Sequence, residues 1–445
     1  MRELVHYDPD IALLQVSRYR AVSSFIPDSF WLRFWQEVDR LSDHAPVLSL
    51  EYSYTYHIGY PDKPHGLLIA WKTAKFEKVA EKVGRLDELS PLPAQDPTAP
   101  TRQELALSRA TRNVFLLVAL KNKNSPGGII LGTIHCFWHP KHVYERVRQL
   151  AILFAEARRF KESNEEWKDW EVVLAGDFNT QPAEFAYSLL MHHPVTQPQI
   201  DDFYQARVVH QSVDKIYDPD YVSPPHVVED VEGGADAIDP DKVIWKSREA
   251  REEDGLLTVE EFMRIFSWSE EEIRGSLGPT ASTSTLSAIA TSIPSAISTV
   301  ISSLSSISIA SQPIPKPTPP PVSAYGSISL QLPALEGRRY VDREPGVQSG
   351  NGWFTTEDPE VVKKRKMGTD DEKRSRGDGE PGYTNFTPLW RCTLDYIFLL
   401  PSNPPSNARF VSLLGLHTKA EMEPGLPRKG VEPSDHVAIA AILEM

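Results

Sequence analysis

Cysteine is scarce in this chain, which has only Cys136 and Cys392 among its 445 residues. The chain has no Cys-x-x-Cys motif and no Cys/His spacing typical of a metal site. A disulfide framework and a zinc site are therefore not expected, and the low cysteine content fits a reducing compartment. The N-terminus has no apolar stretch of a secretory signal. The one long uncharged stretch, 275–315, is rich in Ser and Thr and contains Pro294, so it lacks the apolar run of about 20 residues that spans a membrane. These absences predict a cytoplasmic or nuclear protein without a membrane segment.

Positive charge is also in deficit, since the formal net charge is −14. This charge argues against sequence-blind binding of nucleic acid over the whole surface, although it leaves room for a local basic track. One basic run, Lys363–Lys366, is typical of a nuclear import signal, of an RNA-attracting patch or of a solvated charge run. The chain is long enough for one large domain with additions or for two to three average domains.

From residue 10 to about residue 206 the chain alternates strand-like and helix-like segments. The apolar runs typical of buried strands are 9–15, 66–71, 113–120, 129–135 and 170–175. Lys141–Lys161 has apolar residues at helical spacing, and Pro182 suits the first turn of a helix over Glu184–Met191. Strands interspersed with helices in this way predict an α/β sandwich.

The composition changes between about residues 209 and 380, where acidic clusters, a Ser/Thr tract and a proline-rich run replace the apolar pattern. We expect this segment to be a largely disordered insertion, because it has too little apolar surface to offset the entropy of ordering. Thr258 followed by Glu261 is an exception that predicts a short helix near 258–268. The remainder is predicted to form one domain in two parts, 1–208 and 381–445, since loop-closure entropy grows slowly with loop length.

Three acidic motifs lie at the ends of apolar runs: Gly176–Asn179 (Gly-Asp-Phe-Asn), Leu394–Phe398 (Leu-Asp-Tyr-Ile-Phe) and Ser434–His436 (Ser-Asp-His). Phosphodiester hydrolysis with a divalent metal needs oxygen ligands for the metal, a base for the attacking water and donors for the charged transition state. The residues that offer these groups are Asp177, Asn179, Asp395, Asp435 and His436. The pattern therefore indicates a nuclease.

Each candidate also has an ordinary structural interpretation. Asp177 and Asn179 are equally typical of an Asx turn before a helix, and Ser434–His436 is typical of a surface turn. A lone histidine at a strand end, such as His135, is more often structural than catalytic. Glu37 is the best candidate metal ligand, although by itself it is an ordinary acidic residue after an aromatic run.

Several motifs, in this order along the chain, resemble the endonuclease/exonuclease/phosphatase superfamily. They are Gln36–Asp39, Lys63–Gly66, Thr133–Pro140, Gly176–Asn179, Leu394–Phe398 and Pro433–His436. Thr133–Pro140 (Thr-Ile-His-Cys-Phe-Trp-His-Pro) and Tyr383–Thr387 (Tyr-Thr-Asn-Phe-Thr) are similar to the deadenylase branch, and the chain resembles fungal members that trim ribosomal RNA 3′ ends. The resemblance covers about 7–206 and 383–444. It implies a DNase I-like four-layer α/β sandwich, with two packed mixed β-sheets flanked by helices.

The resemblance implies a metal site and a base. Glu37 would bind Mg²⁺, with Mn²⁺ as an alternative, and Asp435 would help to hold it. Asp177 would orient or activate the attacking water, and Asn179 would stabilise the transition state and contact the substrate.

The resemblance also implies the contacts to the substrate. Asp395 would pair with His436, whose pKa would be raised and which would contact the scissile phosphate. His135 would make a second phosphate contact, and Asn113 would lie near the substrate. We expect Asp177 and His436 to face a solvent-reachable cleft.

Two departures from the family pattern concern the N-terminal part. The family opens with a core strand that carries an Asn of the metal site, and no residue before Tyr7 supplies it, so we expect the neighbouring strand edges to be exposed. The family's Pro-Asp-Ile-x-x-x-Leu-Gln-Glu run is interrupted here by Val16–Gln36, a segment 21 residues long. Our hypothesis is a gene-model error, in which a short intron is translated and an upstream exon is missed.

The function implied is a Mg²⁺-dependent 3′-to-5′ RNA exonuclease of deadenylase type that releases 5′-monophosphates. It would act on RNA 3′ ends, in ribosomal RNA trimming or poly(A) shortening, as a monomer and with no protein partner indicated by the sequence. Another phosphodiesterase or phosphatase of the superfamily is the nearest alternative. A catalytically impaired or truncated chain that acts as a binding module is the alternative from a different class.

Overall fold

A computed structural model describes the chain in segments. The described residues are 9–14, 32–34, 41–61, 63, 66–91, 111–210, 214, 247–251, 254–277, 317–326, 380, 383–388, 391–402, 405–413, 422–428 and 434–445. Glu37 and the basic run Lys363–Lys366 lie outside them, as does most of the segment predicted to be disordered.

Sixteen strands are present in the described residues. They are β1 (Ile11–Leu14), β2 (Leu32–Phe34), β3 (Tyr52–His57), β4 (Leu67–Lys72), β5 (Phe76–Arg85), β6 (Val114–Asn122), β7 (Gly128–His135), β8 (Glu171–Asp177), β9 (Val208–His210), β10 (Ser247–Glu249), β11 (Val322–Ser323), β12 (Asn385–Phe386), β13 (Arg391–Cys392), β14 (Asp395–Leu399), β15 (Arg409–Leu413) and β16 (Ile439–Glu444).

Six α-helices accompany these strands in the part of the chain that the structure describes. They are α1 (Leu41–Glu51), α2 (Val143–Glu162), α3 (Phe185–Leu190), α4 (Gln197–Gln205), α5 (Val259–Ile265) and α6 (Glu270–Leu277). None of them is both long enough and apolar enough to cross a bilayer.

Two six-stranded mixed sheets form the centre of the domain. The first sheet has the order β15-β16-β2-β1-β4-β3, and the second has the order β11-β14-β8-β7-β6-β5. The core between them contains Leu13 and Ile69 of the first sheet together with Leu116, Leu131 and Ile397 of the second. Because alternate residues of a strand point to opposite faces, each sheet has a second apolar face that must also be covered.

Helices cover these outer faces. On the outer face of the first sheet, Leu48 of α1 packs with Ala12, Leu68 and Ala70. On the outer face of the second sheet, a larger apolar cluster joins strand residues to the buried side of α2 and to α3 and α4. The order helix, sheet, sheet, helix confirms the predicted DNase I-like four-layer α/β sandwich.

The two predicted parts of the domain share both sheets. β14 lies in the second sheet beside β8, and β15 and β16 lie in the first sheet. The strands that bring Asp395 and His436 to the domain are therefore built into the same sheets as the N-terminal strands.

The segment Val16–Gln36 contributes β2 to the centre of the first sheet. β2 pairs in parallel with β1, with Ile11 opposite Leu32, and in antiparallel fashion with β16, with Phe34 opposite Ile439. We expected strand edges to be exposed where the family's first strand is missing. This expectation is wrong for the described residues, because β1 and β16 each pair with β2.

Parts of the predicted insertion are folded, in contrast to the expectation for 209–380 as a whole. The predicted capping box is present at α5, where Thr258 and Glu261 exchange side-chain and backbone hydrogen bonds. β11 extends the second sheet by pairing with β14. The average composition of the segment conceals short apolar clusters that are sufficient for packing, such as the one that includes Phe262 and Trp268.

Candidate active site

Three of the candidate side chains lie in one row across the second sheet. In the parallel pair β7 and β8, His135 is opposite Asp177. In the antiparallel pair β14 and β8, Asp395 is also opposite Asp177. Directly paired residues project to the same face of a sheet, so the strand register alone brings His135, Asp177 and Asp395 together.

Asp177 and Asn179 form a tight turn at the end of β8. Oδ1 of Asp177 accepts from the backbone N–H of Asn179 at 2.8 Å, and Oδ2 accepts from Nδ2 of Asn179 at 3.0 Å. Asn179 has φ +46°, a left-handed conformation that asparagine tolerates better than most residues. The same Nδ2 donates to the carbonyl oxygen of Cys136 at 2.9 Å. The Asx turn is therefore real, and it also fixes the carboxylate and the amide next to His135.

The carboxylate of Asp177 is buried, with 2% of the residue exposed. The expectation of a solvent-reachable Asp177 is wrong for the described residues, because the Asn179 turn and the neighbouring strands enclose it. His436 retains slightly more exposure, with 13% of its side chain accessible.

Asp395 and His436 make the predicted pair. Nδ1 of His436 lies 2.8 Å from Oδ2 of Asp395. Burial lowers the pKa of His436, but the charge of Asp395, its hydrogen bond and the charges of Asp435 and Asp177 outweigh burial and raise that pKa to about 10. The imidazole is therefore protonated at neutral pH.

His135 has the opposite protonation state. Burial and the positive charges of Lys63 and His436 lower its pKa to about 3, against the effect of Asp435. Its Nε2 lies 3.5 Å from Oδ2 of Asp177. The site thus combines one neutral imidazole with one imidazolium, a separation of pKa values that suits different chemical roles.

Asp435 lies beside an amide group that could share a metal ion with it. Nδ2 of Asn385 is 3.3 Å from Oδ2 of Asp435. The other amide atom, Oδ1 of Asn385, is buried and has no hydrogen-bond partner among the described residues. A buried oxygen left over beside a carboxylate fits a hard cation such as Mg²⁺, which prefers oxygen ligands.

No three His, Cys, Asp or Glu side chains converge into a metal cage within the described ranges. Glu37, the predicted first ligand, lies outside the described residues.

Asn113 is buried directly before β6 and is linked to the site through Gln149 of α2. Its Nδ2 donates to Oε1 of Gln149 at 3.3 Å, and Lys63 Nζ lies 3.4 Å from its Oδ1. The same Oε1 of Gln149 accepts from the backbone N–H of Phe137 at 2.9 Å, two residues after His135. Gln149 therefore holds Asn113 and the His135 segment in a fixed relation.

Gln149, Thr384 and Asn385 support the site, although no role is predicted for them from the sequence. Thr384 and Asn385 belong to the Tyr383–Thr387 motif, which was the signal that could have identified them. Gln149 lies on the buried face of an ordinary amphipathic helix, where nothing in the spacing separates it from its neighbours.

Glu145 lies one helical turn before Gln149 on α2, and its buried carboxyl should make the stability of the fold depend on pH. Burial raises the pKa of Glu145 to about 7 from its ordinary 4.5, although Arg148 and Gln149 oppose this shift. Between these pH values the folded protein binds a proton that the unfolded chain releases, so the contribution of Glu145 to the free energy of unfolding falls as pH rises. Glu145→Gln cannot titrate, and its stability relative to the wild type should rise by about 1–3 kcal/mol between pH 5 and pH 8.

Urea denaturation of both proteins at the two pH values measures this difference. Glu165→Gln is the matched control, because the side chain of Glu165 is 96% exposed and its replacement should leave the difference unchanged with pH. An equal difference between Glu145→Gln and the wild type at both pH values would contradict the assignment.

Comparison with known proteins agrees with this geometry. The sequence profile of the Endonuclease/Exonuclease/phosphatase family matches residues 2–227, more than half of the chain. The probable RNA exonuclease NGL3 of Saccharomyces cerevisiae is 31% identical over 199 residues, which are 44% of this chain and 34% of that protein. The probable RNA exonuclease C9B6.11c of Schizosaccharomyces pombe is 34% identical over 135 residues, which are 30% of this chain and 24% of that protein.

The matched regions thus span about a third or less of the length of these two relatives. Among solved structures, a complex of ANGEL2, a 2′,3′-cyclic phosphatase, with adenosine-2′,3′-vanadate is similar at 16% identity with a TM-score of 0.46, over 99% of this chain and 83% of that one. The profile match, the two-sheet architecture and the strand-end carboxylates agree with one another, and the chain belongs to the Endonuclease/Exonuclease/phosphatase family.

Proposed function

We propose that this chain is a Mg²⁺-dependent 3′-to-5′ RNA exonuclease of deadenylase type, which hydrolyses the terminal phosphodiester bond and releases nucleoside 5′-monophosphates. The observation that carries the proposal is the row of His135, Asp177 and Asp395, extended by the contact of Asp395 with His436. Two carboxylates, an amide and two imidazoles lie within one cluster, and they can supply a base and hydrogen-bond donors for phosphodiester hydrolysis.

The geometry suggests a role for each side chain. Asp177 orients the attacking water and takes its proton as the oxygen bonds to phosphorus. The bond from phosphorus to the 3′ oxygen of the preceding nucleotide breaks, and that oxygen leaves with a proton from solvent. His436 donates a hydrogen bond to the phosphate oxygens, where negative charge develops. Asn179 acts on the transition state through Asp177, which it holds in place, because its two Nδ2 protons are donated to Asp177 and to the carbonyl oxygen of Cys136. His135, which is neutral, supplies an N–H without adding charge.

Mg²⁺, held by Asp435 and Glu37, would neutralise charge on the scissile phosphate. Enzymes of this family generally use divalent metals. The proposal for Glu37 is supported by the described strand ends, since β2 ends three residues before Glu37 and its partner β16 begins three residues after His436.

The choice of RNA as substrate is supported by two relatives that are named as probable RNA exonucleases. The chain would act on RNA 3′ ends, in ribosomal RNA trimming or in poly(A) shortening. The two possible substrates differ in sequence, so a comparison of two RNAs distinguishes them.

The test is an exonuclease assay on 5′-labelled oligo(A) and on a 5′-labelled mixed-sequence RNA, with Mg²⁺ or with EDTA. We expect a ladder that shortens from the 3′ end in Mg²⁺ only, with 5′-monophosphates as the released product. Faster shortening of oligo(A) would favour poly(A) shortening, and equal rates would favour general 3′ trimming.

Other outcomes would overturn the proposal. Release of inorganic phosphate without shortening would indicate a phosphatase of the same family. No turnover with either RNA, combined with no change in melting temperature on addition of Mg²⁺, would indicate a binding module, because a ligand that binds only the folded state must stabilise it.

A further inference from the structure

Thr384 is fully buried beside the Asp395–His436 pair. None of its surface is exposed. Its backbone N–H donates to the carbonyl oxygen of Cys392 at 3.0 Å, and its carbonyl oxygen accepts from the N–H of Val437 at 2.7 Å. The residue is therefore connected on one side to the chain that leads into Asp395 and on the other side to the chain that leaves His436.

The hydroxyl of Thr384 makes three hydrogen bonds. Oγ1 accepts from the backbone N–H of Leu394 at 2.9 Å and from the backbone N–H of Asp395 at 3.0 Å. It lies 2.5 Å from Oδ2 of Asp395. A threonine hydroxyl has one donor and two acceptor sites. Because both backbone groups can only donate, the single hydroxyl proton must point to the carboxylate.

The carboxylate of Asp395 is thereby held from two directions. Its Oδ2 accepts from the hydroxyl of Thr384 and from Nδ1 of His436, which lies 2.8 Å away. The terminal torsion of an aspartate is broad and only weakly restricted by itself. A second donor on the same oxygen removes that freedom, so the hydroxyl sets the plane in which the imidazole can bond.

If the hydroxyl only closed the turn, it would need to accept from the backbone N–H groups of Leu394 and Asp395, and it would not need to donate a hydrogen bond. The donated bond to Asp395 is what distinguishes a contribution to the site from a contribution to the fold. Serine keeps all three bonds, whereas valine has nearly the shape of threonine and keeps none of them.

We propose that Thr384 is a positioning residue, which orients the Asp395 carboxylate and through it the His436 imidazole that contacts the phosphate. The inference rests on the proposed nuclease function for its kinetic consequence. Thr384 touches neither substrate nor metal in this role, so its loss should affect the chemical step and not substrate binding.

The experiment compares Thr384→Val, Thr384→Ser and the wild type in single-turnover and steady-state assays with oligo(A) and Mg²⁺. We expect Thr384→Val to lower kcat about 10- to 100-fold with KM within about twofold, because a small misplacement of a catalytic group is costly while ground-state binding is unchanged. Thr384→Ser should restore kcat to within about threefold of the wild type.

A matched control separates this effect from general destabilisation. Oγ1 of Thr55 donates to Oε2 of Glu81 at 2.6 Å, another threonine-to-carboxylate bond, but on β3 and β5, which do not carry the site residues. Thr55→Val should leave kcat and KM unchanged.

A second readout does not depend on turnover. The Nδ1 proton of His436, bonded to a carboxylate, should give a far-downfield NMR signal that is identified by its loss in His436→Gln. We expect Thr384→Val to shift or lose this signal and Thr384→Ser to keep it. If the wild type shows the signal but no nuclease activity, the proposed function fails and the positioning role is judged by the signal alone. Unchanged signal and unchanged kcat in Thr384→Val would overturn the inference.

Discussion

Replacement of Asp177 by asparagine is expected to lower kcat about 10²- to 10⁴-fold, the usual contribution of a general base, while the domain keeps its fold. Asparagine has the shape of aspartate and retains an oxygen for the backbone N–H of Asn179, which Oδ1 of Asp177 accepts at 2.8 Å. It cannot accept a proton from water, and it withdraws one of the negative charges that hold His436 protonated.

The rate of 3′ shortening of oligo(A) in saturating Mg²⁺ measures this loss, and circular dichroism with thermal melting checks the fold. The melting temperature should fall by only a few degrees, because the bond from the backbone N–H of Asn179 is kept and the bond from its Nδ2 is lost. Asp201→Asn is the matched control, since Asp201 is an exposed residue of α4 that bonds only to Gln197 among the contacts found for its side chain. A folded Asp177→Asn variant with more than about a tenth of the wild-type rate would refute the role of base.

Much of this site could be predicted from sequence, because three of its residues lie at the ends of apolar strands. His135 and Asp177 each end such a run, and Asp395 begins one. The register that places Asp177 opposite both of the others could not be predicted, since it depends on long-range pairing between strands that are far apart in sequence.

The residues that support the site were not predictable in the same way. Thr384 and Asn385 lie in a short segment with no apolar periodicity, and their roles depend on contacts with residues that are 11 and 50 positions away. The role of a buried hydroxyl or amide can be recognised only when its hydrogen-bond partners are known.

The fold of the predicted insertion was underestimated for a related reason. Composition averaged over about 170 residues is polar, but packing is decided by short clusters. Trp268 shows this clearly, since its Nε1 donates to the carbonyl oxygen of Leu189 at 2.9 Å and its ring stacks on His192. The region from 254 to 277 is thereby joined to α3 and to the outer face of the second sheet.

Phe262→Ala is accordingly expected to destabilise the whole domain by about 3–5 kcal/mol, the usual cost of removing a buried phenyl ring. Phe262 is fully buried on α5 and its ring makes edge contacts with Tyr144 of α2 and Phe203 of α4. Urea denaturation followed by tryptophan fluorescence and by circular dichroism measures the free energy of unfolding. Glu260→Ala, on the same helix but partly exposed, should change it by less than about 0.5 kcal/mol.

The same measurement separates the folded clusters from the rest of the predicted insertion. Deletion of residues 282–312, the Ser/Thr-rich tract between α6 and β11, should leave the free energy of unfolding within about 1 kcal/mol of the wild type, because shortening a long loop changes closure entropy only slightly. A small effect of Phe262→Ala, or two separate unfolding transitions, would mean that α5 forms an independent unit. A large effect of Phe262→Ala together with a small effect of the deletion would mean that the catalytic domain includes α5 as part of its core, and that the insertion is divided into packed and dispensable parts.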